Sequence, residues 1–193
     1  MEAALLDLLR VQRGHFQFES GHHGNLWLDL DSLFLQPRRL LPFAQELARR
    51  LSPYRIEAVV GPLVGGALIA QMIAAEIDTA FAFAERTVDA KAVRYRIPDA
   101  LRHGLACKRI AIVDDAINAG SATRATHAEL LSSGARPVAI GSLILLGTAA
   151  LPFFAERDLP VERVAALPNE LWEPAHCPLC AEGQPINNPP AGR

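Results

Sequence analysis

Between Arg109 and Thr123 the chain reads Arg-Ile-Ala-Ile-Val-Asp-Asp-Ala-Ile-Asn-Ala-Gly-Ser-Ala-Thr. A short apolar run of β-forming character ends in two adjacent carboxylates, Asp114 and Asp115. A bend of small residues follows, and then a helix-forming stretch from Arg124 to Leu131. The strand carries the acids to a sheet edge. The small residues let backbone N–H groups approach an anion closely, and the helix N-terminus adds its dipole. Neighbouring carboxylates suit the hydroxyls of a sugar, because each oxygen accepts a hydrogen bond. A phosphate cradle beside polyol acceptors points to a sugar phosphate. The plainer alternative is a buried strand that ends in solvated acids before a capped helix.

The rest of the chain supplies a setting for that turn. Ala3, Leu5, Leu6, Leu8 and Leu9 form one apolar helical face. Phe16 and Phe18, then Leu26, Leu28 and Leu30, alternate with polar residues around Gly21-His-His-Gly24 and predict two short strands. Pro37 opens a helix through Leu51, with proline in its first turn. Core strands are expected at residues 56–60, 80–84, 110–113, 138–146 and 161–166, and helices at 67–76 and 123–132. Residues 85–104 are charged and aperiodic, which predicts a mobile loop or ribbon. Apolar strands alternating with helices imply a parallel sheet covered on both faces. Ligands of such sheets bind beyond the carboxyl ends of the strands, where the Asp114 turn and the Gly61-Pro-Leu-Val-Gly-Gly66 turn both fall.

Composition removes several classes. The 193 residues suit one domain, 1–166, with an appendage, 167–193, rich in proline and bearing Trp172 and two cysteines; its last few residues are expected to be disordered. A net charge of -2 without any basic run argues against nucleic-acid binding. No stretch is apolar enough to cross a membrane, and Met1-Glu-Ala-Ala-Leu lacks a signal peptide's basic start. Three cysteines do not make a disulfide scaffold. The expectation is a soluble, cytoplasmic globular protein.

The segment Ile112 to Thr123 resembles the phosphoribosyl-pyrophosphate (PRPP) signature of the type I phosphoribosyltransferases, hydrophobics followed by D-D-x-x-x-T/A-G-x-T/S. Within that family it is most similar to the orotate phosphoribosyltransferases. Their opening F-x-L-K-S-G-x-x-S-x-Y is matched by Phe16-Gln-Phe-Glu-Ser-Gly-His-His-Gly-Asn-Leu-Trp27. The resemblance covers about the first 146 residues. It implies an α/β fold with a central, mostly parallel five-stranded sheet flanked by helices, and a small hood built from the N-terminal segment and the tail. It implies an enzyme, a pentosyltransferase that moves ribose 5-phosphate from PRPP to a nucleobase and releases pyrophosphate, with Mg²⁺ as cofactor and a homodimer as the assembly.

Such a reaction builds positive charge on the sugar and negative charge on the departing pyrophosphate, so carboxylates belong near the ribose and donors near the leaving group. The resemblance makes Asp114 and Asp115 the ribose ligands, which would also meet Mg²⁺ through hydroxyls or water. The 5′-phosphate is expected on the N–H groups from Asn118 through Ala119, Gly120, Ser121 and Ala122 to Thr123, with the Ser121 and Thr123 hydroxyls as further donors. Gly61, Gly65 and Gly66 stand where the family binds pyrophosphate, or merely close a strand onto a helix. Leu63 and Val64 replace the basic residue that many relatives carry there, leaving that turn's binding to backbone. Of the cations in the family's flexible catalytic loop, Arg86 and Lys91 are preferred over Arg94 and Arg96, although order and spacing differ from the family's.

Two departures concern the base. Glu19 stands where the family has lysine, and Gly147-Thr-Ala-Ala150 replaces a D-R-x-E run whose arginine meets the orotate carboxylate. An anionic base would forgo a charge-assisted pair worth roughly 1.5–3 kcal/mol. The acceptor is therefore a neutral base, or another cation serves it. Trp27 and Trp172 are the aromatic candidates for the base, with core packing as the commoner role of each. In the tail, His176-Cys-Pro-Leu-Cys180 offers Cys177 and Cys180 as two of the four ligands of a structural zinc, the others to come from His22, His23 and His176. Cys107 reads as plain core. Two non-catalytic alternatives remain: a PRPP or nucleotide sensor, for which a basic nucleic-acid face is wanting, and a competence-associated relative, whose cysteines usually precede the core.

Overall fold

This computed structural model describes residues 1–89 and 92–187. The chain opens with α1 (Glu2–Leu6), β1 (Arg10–Gln17) and β2 (His23–Asp29), then α2 (Asp31–Phe34) and α3 (Pro37–Leu51). The core continues β3 (Ala58–Pro62), α4 (Gly65–Glu76), β4 (Ala80–Asp89), β5 (Ala92–Arg96), α5 (Asp99–Arg102), β6 (Arg109–Ile117), α6 (Ser121–Ser132), β7 (Arg136–Leu146), α7 (Leu151–Ala155) and β8 (Val161–Leu167). The tail adds β9 (Leu171–Trp172) and α8 (Pro178–Ala181).

The central sheet has the order β5-β4-β3-β6-β7-β8. All five expected strands are present and run parallel to their neighbours. A sixth, β5, joins antiparallel at the edge as the return arm of a hairpin with β4. That hairpin and α5 occupy residues 85–104, expected to be a mobile loop or ribbon, and the described residues take the ribbon form. These residues are mostly exposed, with Tyr95 and Ile97 buried, so no apolar period marks them in the sequence.

Side-chain alternation sorts the strands' residues between two cores. Val59 of β3 and Ala111 and Val113 of β6 face Leu47, Leu51, Ile69 and Ile73 of α3 and α4. Val60, Ile110 and Ile112 face Leu130 of α6 and Phe154 of α7. Both faces are thus dry, and each fully buried Leu or Ile contributes on the order of 1.5–3 kcal/mol. α3 presents Leu40, Phe43, Ala44, Leu47, Ala48 and Leu51 to the sheet, at the three- and four-residue spacing of one helical face.

A second sheet, β1-β2-β9, is wholly antiparallel. Here β1 begins well before Phe16; its first four residues, Val11 among three polar ones, are all exposed and give no alternating signal. Its register slips between Arg13 and Phe16. The tail completes this sheet: Trp172 and Leu171 pair with His23 and Gly24. The tail's last residues, expected to be disordered, begin at 188 and lie outside the described residues.

Candidate functional site

β6 delivers Asp114 and Asp115 to the carboxyl end of the sheet, both buried. The Asp115 N–H donates to Asp114 Oδ1 at 3.0 Å, and the Ala116 N–H to Asp115 Oδ1 at 2.8 Å. The Thr123 hydroxyl donates to Asp114 Oδ2 at 3.3 Å. Thr123 therefore props the carboxylate from the first turn of α6. Burial, with the neighbouring Asp115 charge second, holds the Asp114 carboxyl well above the ordinary carboxylate range.

Gly120, at φ 76°, makes the left-handed bend that a β-carbon would oppose, and α6 starts at the next residue. The N–H groups of Ser121, Ala122 and Thr123 have no acceptor within the helix and form its positive end. Asn118 accepts a hydrogen bond at 2.9 Å from Asn169 in the tail, so one side of the bend is tied to the chain beyond β8.

The Gly61 turn lies directly against the acids. A β-carbon on Gly65 would stand 1.9 Å from Asp115 Oδ2, and one on Gly66 would stand 2.6 Å from Asp114 Oδ1. A β-carbon on Gly61 would fall 2.2 Å from the Gly66 carbonyl oxygen. Two turns nearly fifty residues apart in sequence thus share one spot, and only hydrogen at these three positions permits it. The Leu63–Val64 peptide is cis, and both side chains are exposed.

Of the loop cations, Arg86 donates to Glu19 Oε2 at 3.1 Å, an ion pair between β4 and the hood turn. Lys91 lies outside the described residues. Tyr95, which sequence reasoning missed, is buried and donates a long 3.5 Å hydrogen bond to the same Glu19. Burial, then the Glu19 and Asp114 charges, push its phenol up to about 12. Trp27 lies between Phe16, at 5.9 Å, and Phe18, stacked at 6.1 Å, within the hood. Trp172 is half-buried on β9.

Away from this site, His15, His23, Cys177 and Cys180 converge, their ligand atoms all within 4.8 Å of one another. Two of the expected histidines are not among them. His22 lies in the turn and contacts the Ser20 hydroxyl at 3.1 Å, and His176 is exposed beside Glu173. His15 falls within the register slip of β1, and its Nε2 lies 2.9 Å from His23 Nδ1 although Gln17 is the residue that pairs with His23, a juxtaposition that no linear spacing announces. Cys107 is exposed at φ 61° rather than in the core; its apolar sequence neighbours belong to a turn.

A wound sheet with a twin-acid strand end, a glycine turn against it and a small-residue helix start is the arrangement of a type I phosphoribosyltransferase. No family model matches the sequence. It is 30% identical over 189 residues to an orotate phosphoribosyltransferase from Carboxydothermus hydrogenoformans, covering 95% of this chain and 93% of that one. The relative from Caldanaerobacter subterraneus is 28% identical over 179 residues, covering 93% and 90%. Among solved structures, orotate phosphoribosyltransferase from Aeropyrum pernix superposes with a TM-score of 0.64 at 21% identity, covering 81% of this chain and 88% of its own. Adenine phosphoribosyltransferase from Thermoanaerobacter pseudethanolicus gives 0.66 at 18%, covering 86% and 99%. The chain belongs to the orotate phosphoribosyltransferase family. It is a pentosyltransferase that uses PRPP to transfer a phosphoribosyl group to a base.

Proposed function

We propose that the ribose 5-phosphate of PRPP binds across Asp114, Asp115 and the bend from Asn118 to Thr123, and that its pyrophosphate lies on the Gly61–Gly66 turn. The observation that carries this reading is the contact between the glycine turn and the two acids. The 5′-phosphate takes the N–H groups at the start of α6, and the Ser121 hydroxyl adds a donor. Asp114 and Asp115 accept from the ribose hydroxyls and stabilise the cationic sugar as the anomeric C–O bond lengthens. Their hard oxygen donors suit Mg²⁺, held directly or through the ribose hydroxyls, and that ion would neutralise charge on the pyrophosphate. Arg86 of β4 serves the leaving group, exchanging Glu19 for pyrophosphate, and Lys91, outside the described residues, is the second cation assigned to it.

The base enters under the hood, beside Trp27 and Trp172. We take it to be uncharged. Glu19 adds an anion at the hood turn and occupies Arg86, while Gly147–Ala150 contributes no cation of its own. A second reading, orotate, draws on the relatives' names and on Arg124, whose guanidinium donates to the Ala149 carbonyl at 3.3 Å beside that same turn. Pyrophosphate release from PRPP and Mg²⁺, measured over orotate, uracil, adenine and hypoxanthine, separates them. Turnover confined to orotate overturns the neutral-base reading; tight PRPP binding with no turnover on any base would instead mark a sensor.

On the same reading the enzyme works as a homodimer in the cytoplasm, with its phosphoribosyltransferase domain ending at residue 166. No helix among the described residues is long and apolar enough to span a membrane.

A further inference from the structure

We propose that His15, His23, Cys177 and Cys180 form a structural zinc site that fastens the C-terminal tail to the hood. This inference does not rest on the PRPP reading. The sulfur of Cys177 lies 3.5 Å from His15 Nε2, and that of Cys180 lies 3.7 Å from the same nitrogen and 3.3 Å from His23 Nδ1. A tetrahedral zinc with bonds of about 2.0–2.3 Å has ligand–ligand edges of roughly 3.3–3.8 Å. The two nitrogens are 2.9 Å apart and need open by only a few tenths of an ångström.

The surroundings prepare the ligands. His15 Nδ1 donates to the Gln184 carbonyl at 2.8 Å, which leaves the Nε2 lone pair facing the cluster. His15 is 1% exposed, His23 5% and Cys177 3%, so three of the four are sealed from water. Two thiolates and two neutral imidazoles around Zn²⁺ sum to zero charge, which a buried place tolerates. Tetrahedral S₂N₂ coordination favours zinc over harder divalent ions. The site joins positions 162 residues apart and ties Cys177-Pro-Leu-Cys180 to β1 and β2. It stands next to β9, whose Trp172 pairs with His23 itself. Zinc thereby sets where the tail's contribution to the hood sits.

The test begins with untagged protein from zinc-supplemented culture, freed of loose metal by gel filtration. Elemental analysis should find close to one zinc per chain. Cobalt reconstitution should give intense tetrahedral d–d bands with sulfur-to-cobalt charge transfer from two thiolates. A Cys177→Ser/Cys180→Ser double variant should lose at least nine-tenths of the metal. The wild-type measurements stand even where that variant fails to fold. Folded wild-type chain with under one zinc per ten chains and no cobalt spectrum overturns the proposal. So does a Cys177–Cys180 disulfide in metal-free native protein, or undiminished zinc in the double variant.

Discussion

Asp114 occupies a place that disfavours its own charge. Its carboxyl is raised above the ordinary 3.8 by burial and by Asp115. A carboxyl with a raised folded pKa contributes stability that is complete below 3.8 and lost as pH climbs through the raised value. As pH rises above 3.8 the burial of Asp114 beside Asp115 therefore costs stability in the unliganded protein. Asp114→Asn should melt higher than wild type at pH 8, with the gap closing toward pH 4, while losing PRPP affinity. Each 1 kcal/mol should appear as about 2–4 °C in thermal melts followed by circular dichroism. Asp115→Asn should lower kcat/KM at least tenfold, about 1.4 kcal/mol, with the fold unchanged. Steady-state kinetics equal to wild type would remove Asp115 from the site. These acids could be found in the sequence because the strand, the acids and the bend are contiguous. Tyr95 could not, since only the return of β5 along β4 brings its ring toward Glu19 and Asp114.

The two turns are elements that meet through folding. Gly65 lies in the first turn of α4, where alanine would ordinarily improve a helix. Here its β-carbon would sit 1.9 Å from Asp115 Oδ2. Gly65→Ala should thus weaken PRPP binding at least tenfold by calorimetry, whereas Gly104→Ala, whose β-carbon meets nothing nearer than 3.4 Å, should bind like wild type. The hood and hairpin meet through Glu19 and Arg86, a half-exposed pair worth about 0–1 kcal/mol in stability. Its larger consequence is for substrate charge. Glu19→Lys should leave the melting temperature nearly unmoved and raise the rate with orotate relative to uracil by tenfold or more. An unchanged ratio would detach Glu19 from base choice. The sequence left loop and ribbon open for residues 85–104, because a mostly exposed edge ribbon buries too few side chains, Tyr95 of β5 among them, to imprint a period on its residues.

Taken whole, the molecule is closed by its own tail. β9 completes the hood sheet, Asn169 supports Asn118, and Asn187 and His15 exchange backbone and side-chain hydrogen bonds. A chain ended at Ala166 should therefore melt well below the full chain and bind PRPP more weakly, through the lost support of the Asn118 bend. Equal melting would make the tail a passenger.

The order of residues already dictated the covered parallel sheet and the small-residue bend behind the twin acids, because both arise from short-range pattern: apolar runs of strand length, and acids joined to small residues along one piece of backbone. It could not dictate that Gly65 would touch Asp115, that Arg86 would be held by Glu19, or that His15 rather than His22 or His176 would join the two cysteines. Those pairings follow from strand order, a register slip and the path of the tail, which depend on how distant surfaces pack rather than on any neighbour in the chain.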